Sequence, residues 1–456
     1  MGIFMKENML TQFTEWTEKY GGIFTLQFGN TLAISLNNYK VIREALVKQA
    51  DVFAGRPRTY AFEKLQGGHY GMVVPDGPEW REQRRFALTV FKDLGFGRPI
   101  MEERIRYEVD SLLDQWKSHC GTPTDVSLSL KVCVVNIVMN IICGRSFEPN
   151  DPDFDVYQKA CADNIVILQK ANLPQYLPIL KLIPGGLGFK EAFANKQVID
   201  KFLLKQVKEQ MEMIKDLPES AFDNYTQAFL MRMRKLEQQG ELHTFSQQQL
   251  VASLADFFIA GFETTVSTLL WAILYLGYNP GIQRRLQQEM QEKLGNRIPT
   301  WDDRNQLPYA NAVIMESQRL GNIVPLSVFH RCLEDTTLEG YRIPADSMII
   351  INNWDCMRDP KVFPDPDKFD PERFLSGYAT EEELKERKDA LIPFSLGKRA
   401  CLGESLARME LFLMLTAIFQ TFNITFDPNE PKPPLTPRFG ITLATRPYKV
   451  VLSQRT

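Results

Sequence analysis

The residues best suited to chemistry lie near the C-terminus, in Phe394-Ser-Leu-Gly397-Lys-Arg399-Ala-Cys401-Leu-Gly403. A helical pattern, Glu404-Ser-Leu-Ala-Arg-Met-Glu-Leu-Phe, follows at once. A cysteine at the mouth of a helix gains from the helix dipole and from free amides, so its thiolate is favoured. Gly397 and Gly403 let the backbone turn tightly and approach a flat ligand without a Cβ in the way. Phe394 can cover the sulfur, and Arg399 offers a fork for a carboxylate. The set suits a sulfur ligand for haem iron, where a thiolate pushes electron density onto the metal and favours O–O cleavage. On this loop alone, a plain buried cysteine acting as a small hydrophobe stays open.

A second constellation is Ala260-Gly261-Phe262-Glu263-Thr264-Thr265, which interrupts a long apolar stretch with small residues, a charge and two hydroxyls. A helix that is apolar nearly all round is buried, so Glu263 inside it is costly without a task or a partner. Gly261 permits close passage of a planar ligand. Thr264 can bond back to the carbonyl one turn earlier and open the helix there; an ordinary kink is the plainer reading. Trp80 and Arg84 fall at i and i+4 on one helix face, where an indole NH and a guanidinium can converge. Glu316 and Arg319 fall at i and i+3, and Arg373 arrives later in Pro371-Glu-Arg-Phe374. Taken alone, the Glu316–Arg319 pair reads as a weak surface ion pair, and His330 as a hydrogen-bonded interior histidine.

The elements that must carry these residues are mostly helical. Leu250 to Tyr278 is apolar but broken by Asp256 and Glu263, so no clean run of about 20 apolar residues crosses a membrane. Helical periodicity predicts helices over 101–118, 124–143, 190–215, 247–277, 280–293, 308–320 and about 402–419. Another starts at Pro78, with Asp76 near its cap. Alternation in Gly22–Gly29 and Asn30–Leu36 predicts a hairpin turning near Gly29-Asn30. Short strands return at Arg342 to Ile351 and Lys449 to Leu452. With no repeat, low-complexity tract or linker, the expectation is one mostly α domain over residues 1–456 with a minor β portion. Residues 173–189, with three prolines and three glycines, are too broken for a long helix, yet apolar. They read as a core-covering loop or as a loop that dips into lipid.

Composition excludes several classes. A net charge of -3 gives no global attraction to nucleic acid. Seven cysteines without CxxC pairing fit a reducing compartment better than a disulfide framework or zinc cluster. The four histidines (69, 119, 243 and 330) lack metal-ligand spacing. Thirty Phe residues point to a large aromatic interior or an apolar pocket.

The cysteine loop resembles that of the cytochrome P-450 family (Phe-x-x-Gly-x-Arg-x-Cys-x-Gly), with all five fixed positions present. Three further signatures accompany it: Ala260–Thr265, Glu316-Ser-Gln-Arg319, and the Pro-rich segment ending in Arg373. The resemblance runs from about Phe13 to the C-terminus and is nearest to microsomal animal enzymes of the second clan. It implies the P-450 fold, a large helical domain with small antiparallel sheets and haem b between the long central helix and the cysteine loop. Cys401 is then the axial thiolate and metal ligand, with Gly261 and Phe394 beside the haem. Thr264, supported by Glu263, relays protons to dioxygen. Arg56, Trp80, Arg84, His330 and Arg399 meet the haem propionates. Glu316, Arg319 and Arg373 form a buried network bracing the cysteine loop. Phe262 departs from the pattern, where relatives often carry a smaller or polar residue, with local packing or the pocket as the place to feel it.

The substrate side is expected at Thr59 to Val74, Phe257, Ala260, Pro325 to Phe329, and Phe439-Gly440-Ile441, whose apolar lining implies a lipophilic substrate. The resemblance further implies NADPH electrons through a flavoprotein reductase, with cytochrome b5 as a further candidate partner. It also implies a lipid surface at the cytosolic face of the endoplasmic reticulum, with no nucleic acid and no N-terminal anchor in this sequence. Arg81, Arg85, Lys398 and Arg408 are the basic residues expected to receive an acidic reductase. Two rivals remain: a haem-thiolate isomerase or dehydratase acting on a peroxide, whose kind commonly alters the helix threonine or the cysteine loop, and a haem-binding protein without turnover.

Overall fold

The computed structural model describes residues 9–455 apart from 59–64, 66–67, 149–150, 172, 177–178, 181–186, 219–220 and 441. Its centre is the helix Gln247–Tyr278, 32 residues long. It begins where the Ser246 side chain accepts the Gln249 amide, and the next helix, Pro280–Leu294, opens on a proline that cannot continue it. Among the described residues this is the one helix long and apolar enough to cross a membrane, but 67% of its apolar window is buried inside the protein. It is a core helix. Helices Pro99–Lys117, Ser127–Cys143, Phe189–Met213, Pro308–Gly321 and Glu404–Thr421 pack around it or around one another. Their apolar faces form one continuous core that includes Trp116, Phe229, Phe258, Phe412 and Phe419.

The periodicity-based helices therefore hold to within a few residues at each end. Among the described residues, four helices of ten residues or more had no expectation: Met9–Tyr20, Pro152–Ala171, Tyr225–Gln239 and Glu381–Ala390. The last is almost wholly charged and has no apolar stripe to reveal it; its start is a capping box between Thr380 and Glu383. Pro78 does open the helix Gly77–Asp93, but the Asp76 side chain does not cap it. That carboxylate instead accepts from the Arg56 amide at 3.0 Å and from Arg331 at 2.8 Å.

The β portion is a satellite. Ile23–Phe28 and Thr31–Leu36 pair antiparallel with Phe28 opposite Thr31, so Gly29 and Asn30 form the two-residue turn. Thr31–Leu36 then lies parallel to Met348–Ile351, which pairs with His330–Arg331. The expected strand over 342–351 is thus two strands in different sheets, Tyr341–Ile343 and Met348–Ile351, because Pro344 and Asp346 turn the chain between them. The larger sheet carries His330 inward and rests on its own apolar clusters.

In the 173–189 segment, Leu173–Tyr176 is a single helical turn whose Tyr176 ring meets Phe28 at 6.1 Å beside the hairpin tip. Ile179 is 73% exposed, so this stretch is not simply a core cover. Leu177, Lys181, Leu182 and Ile183 lie outside the described residues.

Candidate haem-thiolate site

The cysteine loop closes on itself where the Cys401 amide donates to the Phe394 carbonyl at 2.9 Å. Gly397 sits at φ 72°, and a Cβ there would lie 1.8 Å from the Leu46 carbonyl oxygen, so no other residue fits without moving the backbone. The Arg399 guanidinium reaches back to the carbonyls of Ala54 (2.8 Å) and Pro75 (2.7 Å). Arg84 donates to the Ala400 carbonyl next to the cysteine. Protein surrounds Cys401, yet its side chain keeps an open face. Burial raises the thiol; the Gly403 amide and Arg84 pull the other way, and Glu404 adds to the rise. The expectation that the helix mouth by itself favours the thiolate is thereby corrected, because desolvation outweighs the amide and the cation. A metal bond has to secure the anion.

On the long helix, Asp256, Phe257, Ala260, Gly261 and Thr264 form a partly open stripe, while Phe258, Phe262, Thr265 and Leu269 are buried. Ala260 is exposed in a helix otherwise deep in the core. The Thr264 hydroxyl donates to the Ala260 carbonyl at 2.7 Å, the back-bond anticipated from sequence. Glu263 accepts from Thr442 at 3.4 Å. A Cβ on Gly261 would meet Val138 of the helix Ser127–Cys143 at 2.9 Å, so the glycine is needed for helix packing, a reason the sequence reading did not contain. Phe262 turns into the core, 4.8 Å from Phe258, which settles its effect as packing on the far side of the helix from the open stripe.

A cationic group assembles beside the cysteine. Arg399 lies 3.4 Å from the centre of the Trp80 ring and Arg84 lies 5.7 Å from it. Arg56 donates to the carbonyls of Val73, Val328 and Phe329 at 2.8–3.0 Å. Burial and then its neighbour Arg84 bring Arg56 down to about 9; burial and then Arg56 bring Arg399 down to about 8, with Asp76 opposing in both. The Trp80 indole NH is committed to the Met72 carbonyl at 3.2 Å, so it does not converge with the Arg84 guanidinium as expected; the loop preceding the helix claims it first. His330 donates through Nδ1 to the Phe53 carbonyl at 2.7 Å, and burial, then Arg56, hold the ring neutral.

The Glu316 network is assembled and buried. Arg319 grips both oxygens of Glu316 at 2.7 and 2.9 Å with both side chains at 0% exposure, and Arg373 joins at 3.1 Å. The arginines also hold the carbonyls of Met357, Pro364 and Pro366, and Glu316 accepts the Asp370 amide. This is no surface pair: the site cross-links the helix Pro308–Gly321 to the loop 357–373. On the pocket side, Phe257 packs 5.2 Å from Phe91 and 5.0 Å from Tyr225, while Phe329 and Phe439 share a separate apolar cluster with Leu326 and Leu443. Ile441 and much of 59–74 lie outside the described residues.

Sequence reasoning missed the tie between the long helix and the loop 71–73. Gln249 accepts from the Gly71 amide and donates to its carbonyl, and Asp256 accepts from the Met72 (2.6 Å) and Val73 (3.0 Å) amides. The signal was the costly Asp256 in an apolar run. A second surface, a cleft of about 590 Å³, is lined by Arg81, Arg84, Arg85, Leu88, Lys92 and Lys398 on the cysteine side. Arg408 instead pairs with Glu404 and lies 5.0 Å from the centre of the Phe394 ring.

This combination of a helical body, a cysteine loop and a threonine-bearing central helix is that of a haem-thiolate oxygenase. The chain belongs to the cytochrome P450 family, whose model matches residues 2–452. It is 34% identical over 440 residues to human cytochrome P450 2U1, covering 96% of this chain and 79% of that protein. Human cytochrome P450 2J2 is 35% identical, covering 94% of this chain and 84% of its own length. Rabbit (Oryctolagus cuniculus) cytochrome P450 2C3 is 36% identical, with 89% and 82% covered. The protein is a monooxygenase, and its cofactor is haem with a thiolate ligand to iron. The residues fit that group. Nη1 of Arg399 is buried without a hydrogen-bond partner; beside Asp76, Arg84 depresses Arg56, and both of them depress Arg399. Such an excess of buried cation suits the two carboxylates of a haem edge.

Proposed function

We propose that this protein inserts one atom of O2 into a lipophilic substrate (a fatty acid, steroid or xenobiotic), with electrons from NADPH delivered by a flavoprotein reductase. The whole chain acts as a single haem-thiolate domain. The observation that carries the reading is the Thr264 hydroxyl, held on the Ala260 carbonyl along the open stripe of the central helix.

Haem bound through Cys401 supplies the redox chemistry and the site at which dioxygen is activated. Cys401 would hold the metal through its open face, with the Gly403 amide and Arg84 steadying the negative sulfur. Arg399 gives its spare Nη1 hydrogen to one propionate while Arg56 and Arg84 supply further charge. His330 keeps Nδ1 on Phe53 and offers Nε2, whose protonation a propionate favours. Trp80 acts through its ring, as the floor on which Arg399 rests.

Thr264 would hold a proton at its Oγ1 on the open stripe, free to turn from the Ala260 carbonyl to a substrate-side acceptor. Glu263, which accepts from Thr442, would take up a proton from solvent and pass it on to restore that hydroxyl. Phe257, Ala260, Phe329, Phe439 and Ile441 exclude water and orient the substrate through apolar contact. Glu316, Arg319 and Arg373 hold the loop that supports the cysteine. The basic cleft around Arg81 and Arg85 receives an acidic reductase, with cytochrome b5 as a competing donor. Ile179 and Leu180, beside the hairpin tip, touch the cytosolic leaflet of the endoplasmic reticulum.

The decisive experiment incubates the holoprotein with reductase, NADPH and panels of fatty acids, sterols and drug-like compounds. Hydroxylated product in step with NADPH and O2 consumption is expected. Rearrangement of a hydroperoxide without NADPH would replace this reading with an isomerase, and ligand binding without either would leave a binding protein. Cys401→Ser is expected to lose the red-shifted Soret band of the reduced carbon monoxide complex, whereas substitutions at Cys133 or Cys356 retain it.

A further inference from the structure

We propose that Glu410 is a positioning residue: through Thr265 it ties the cysteine-side helix Glu404–Thr421 to the long helix one residue from Thr264, and so fixes where the Thr264 hydroxyl lies. The inference rests on the role proposed above for Thr264.

Three threonines on the long helix behave differently. Thr264 and Thr268 bond back to their own helix, at Ala260 and Thr264. Thr265 does not take the equivalent carbonyl of Gly261. Its hydroxyl donates across the helix seam to Oε2 of Glu410 at 2.9 Å. Both side chains are buried, at 3% and 1% exposure, and Oε1 of Glu410 has no partner.

A carboxyl in such a place is a poor device for stability alone, because a well-packed leucine would avoid the desolvation. What it supplies is direction. A hydrogen bond fixes the rotation and height of the long helix against the helix that starts at the cysteine loop. One turn earlier, on the same side as Thr265, the long helix is also set by the close approach of Gly261 to Val138. With both contacts made, Thr264 has little freedom to turn.

The tie is made by a neutral group. Burial raises the Glu410 carboxyl to about 8, against the pull of the Thr265 bond. From the helix Ser127–Cys143 the facing titratable group is Cys133, itself kept as a thiol by burial and by Glu108 of the helix Pro99–Lys117. Charges on the other elements packed against Glu404–Thr421 are engaged elsewhere. Glu289 holds the Tyr309 and Ala310 amides, Glu316 and Arg319 hold each other, and Asp303 holds Arg297. Among the described residues, no cation lowers the Glu410 carboxyl. Its contribution is therefore fully present below the ordinary carboxyl value of 4.5 and is lost as pH rises through about 8, where the buried charge draws water into the seam.

The test compares wild type with Glu410→Gln and Thr265→Val as haem-loaded proteins, with laurate as the probe substrate. Measured are the fraction of NADPH electrons released as peroxide, the ferric absorption spectrum and the melting temperature, each across neutral to alkaline pH. Glu410→Gln keeps a neutral acceptor for Thr265, so its peroxide fraction at neutral pH should stay within about twofold of wild type. Wild type is expected to show a rise in peroxide and a spectral change as pH passes about 8, and Glu410→Gln should lose both. Thr265→Val, which keeps the shape and removes the donor, should show the alkaline wild-type peroxide fraction already at neutral pH. An alkaline transition unchanged in Glu410→Gln, or wild-type coupling in Thr265→Val, overturns the proposal. If Thr264→Ala leaks peroxide while neither variant departs from wild type, the relay stands and this inference alone fails.

Discussion

The guanidinium of Arg399 lies over the Trp80 indole, 3.4 Å from the ring centre, with one nitrogen buried and unbonded. The residue two positions before the cysteine is thereby fixed by a side chain from a helix more than 300 positions earlier in the chain. Arg399→Ala should release haem to an excess of apomyoglobin about 10- to 100-fold faster, since a buried hydrogen bond to a charged group is worth roughly 1.5–3 kcal/mol. Arg399→Lys should recover little, because an ammonium cannot stack and fork at once. A wild-type transfer rate in either variant would remove Arg399 from haem retention.

Thr264→Ala should retain haem and substrate binding but divert electrons into peroxide. Positioned proton transfer contributes about 10²- to 10⁴-fold, so the product yield falls well below the electrons consumed. The check is the stoichiometry of NADPH, peroxide and product, and unchanged coupling would take Thr264 out of the mechanism.

Asp256 gives a pH signature on the acid side. Burial raises its carboxyl from 3.8 to about 6, although the Met72 and Val73 amides pull it down. The native state thus prefers the protonated form. This contribution is complete below the ordinary value and is lost as pH rises through about 6. Asp256→Asn keeps an acceptor for both amides and cannot ionise. Its stability relative to wild type, read from the melting temperature, should climb across that window and then level off, at a difference of roughly 3 kcal/mol by the full shift. A flat difference would show that the loop 71–73 yields and solvates the carboxylate.

Arg81→Glu combined with Arg85→Glu should slow the first electron transfer from the reductase at low ionic strength. The defect should shrink as salt screens the exposed charges over about 10 Å. Stopped-flow reduction under carbon monoxide reads this directly. Identical rates at low salt would place docking elsewhere.

The helices around the site were legible because burial writes a 3.6-residue period into them, as in Gln247–Tyr278 and Glu404–Thr421. Glu381–Ala390 was silent because a solvated helix needs only caps and propensity. The cysteine loop and the Glu316–Arg319–Arg373 set were readable as motifs, since each residue type has few other reasons to recur at those places. What the motifs did not convey is which group each donor actually holds. Trp80 spends its NH on Met72, Asp76 serves Arg56 and Arg331, and Gly261 makes room for Val138. Those partners are brought together by tertiary packing, and no local spacing encodes them. The thiol of Cys401 is the same lesson in electrostatics, because a favourable helix end loses to desolvation once the surrounding protein is in place.

Gly397 has a further consequence. Its missing Cβ lets the cysteine loop press on the carbonyl of Leu46, and two residues later Arg399 bonds to Ala54 across 345 positions of sequence. The cofactor's cradle is therefore a clasp whose two halves leave the ribosome at opposite ends of synthesis. The early half waits through nearly the entire translation for its counterpart, and closing it carries the entropy cost of a very large loop. Haem capture is in this sense a finishing step. A nascent chain stalled anywhere upstream of residue 397 still lacks both Arg399 and Cys401, however much of its helical core has already condensed.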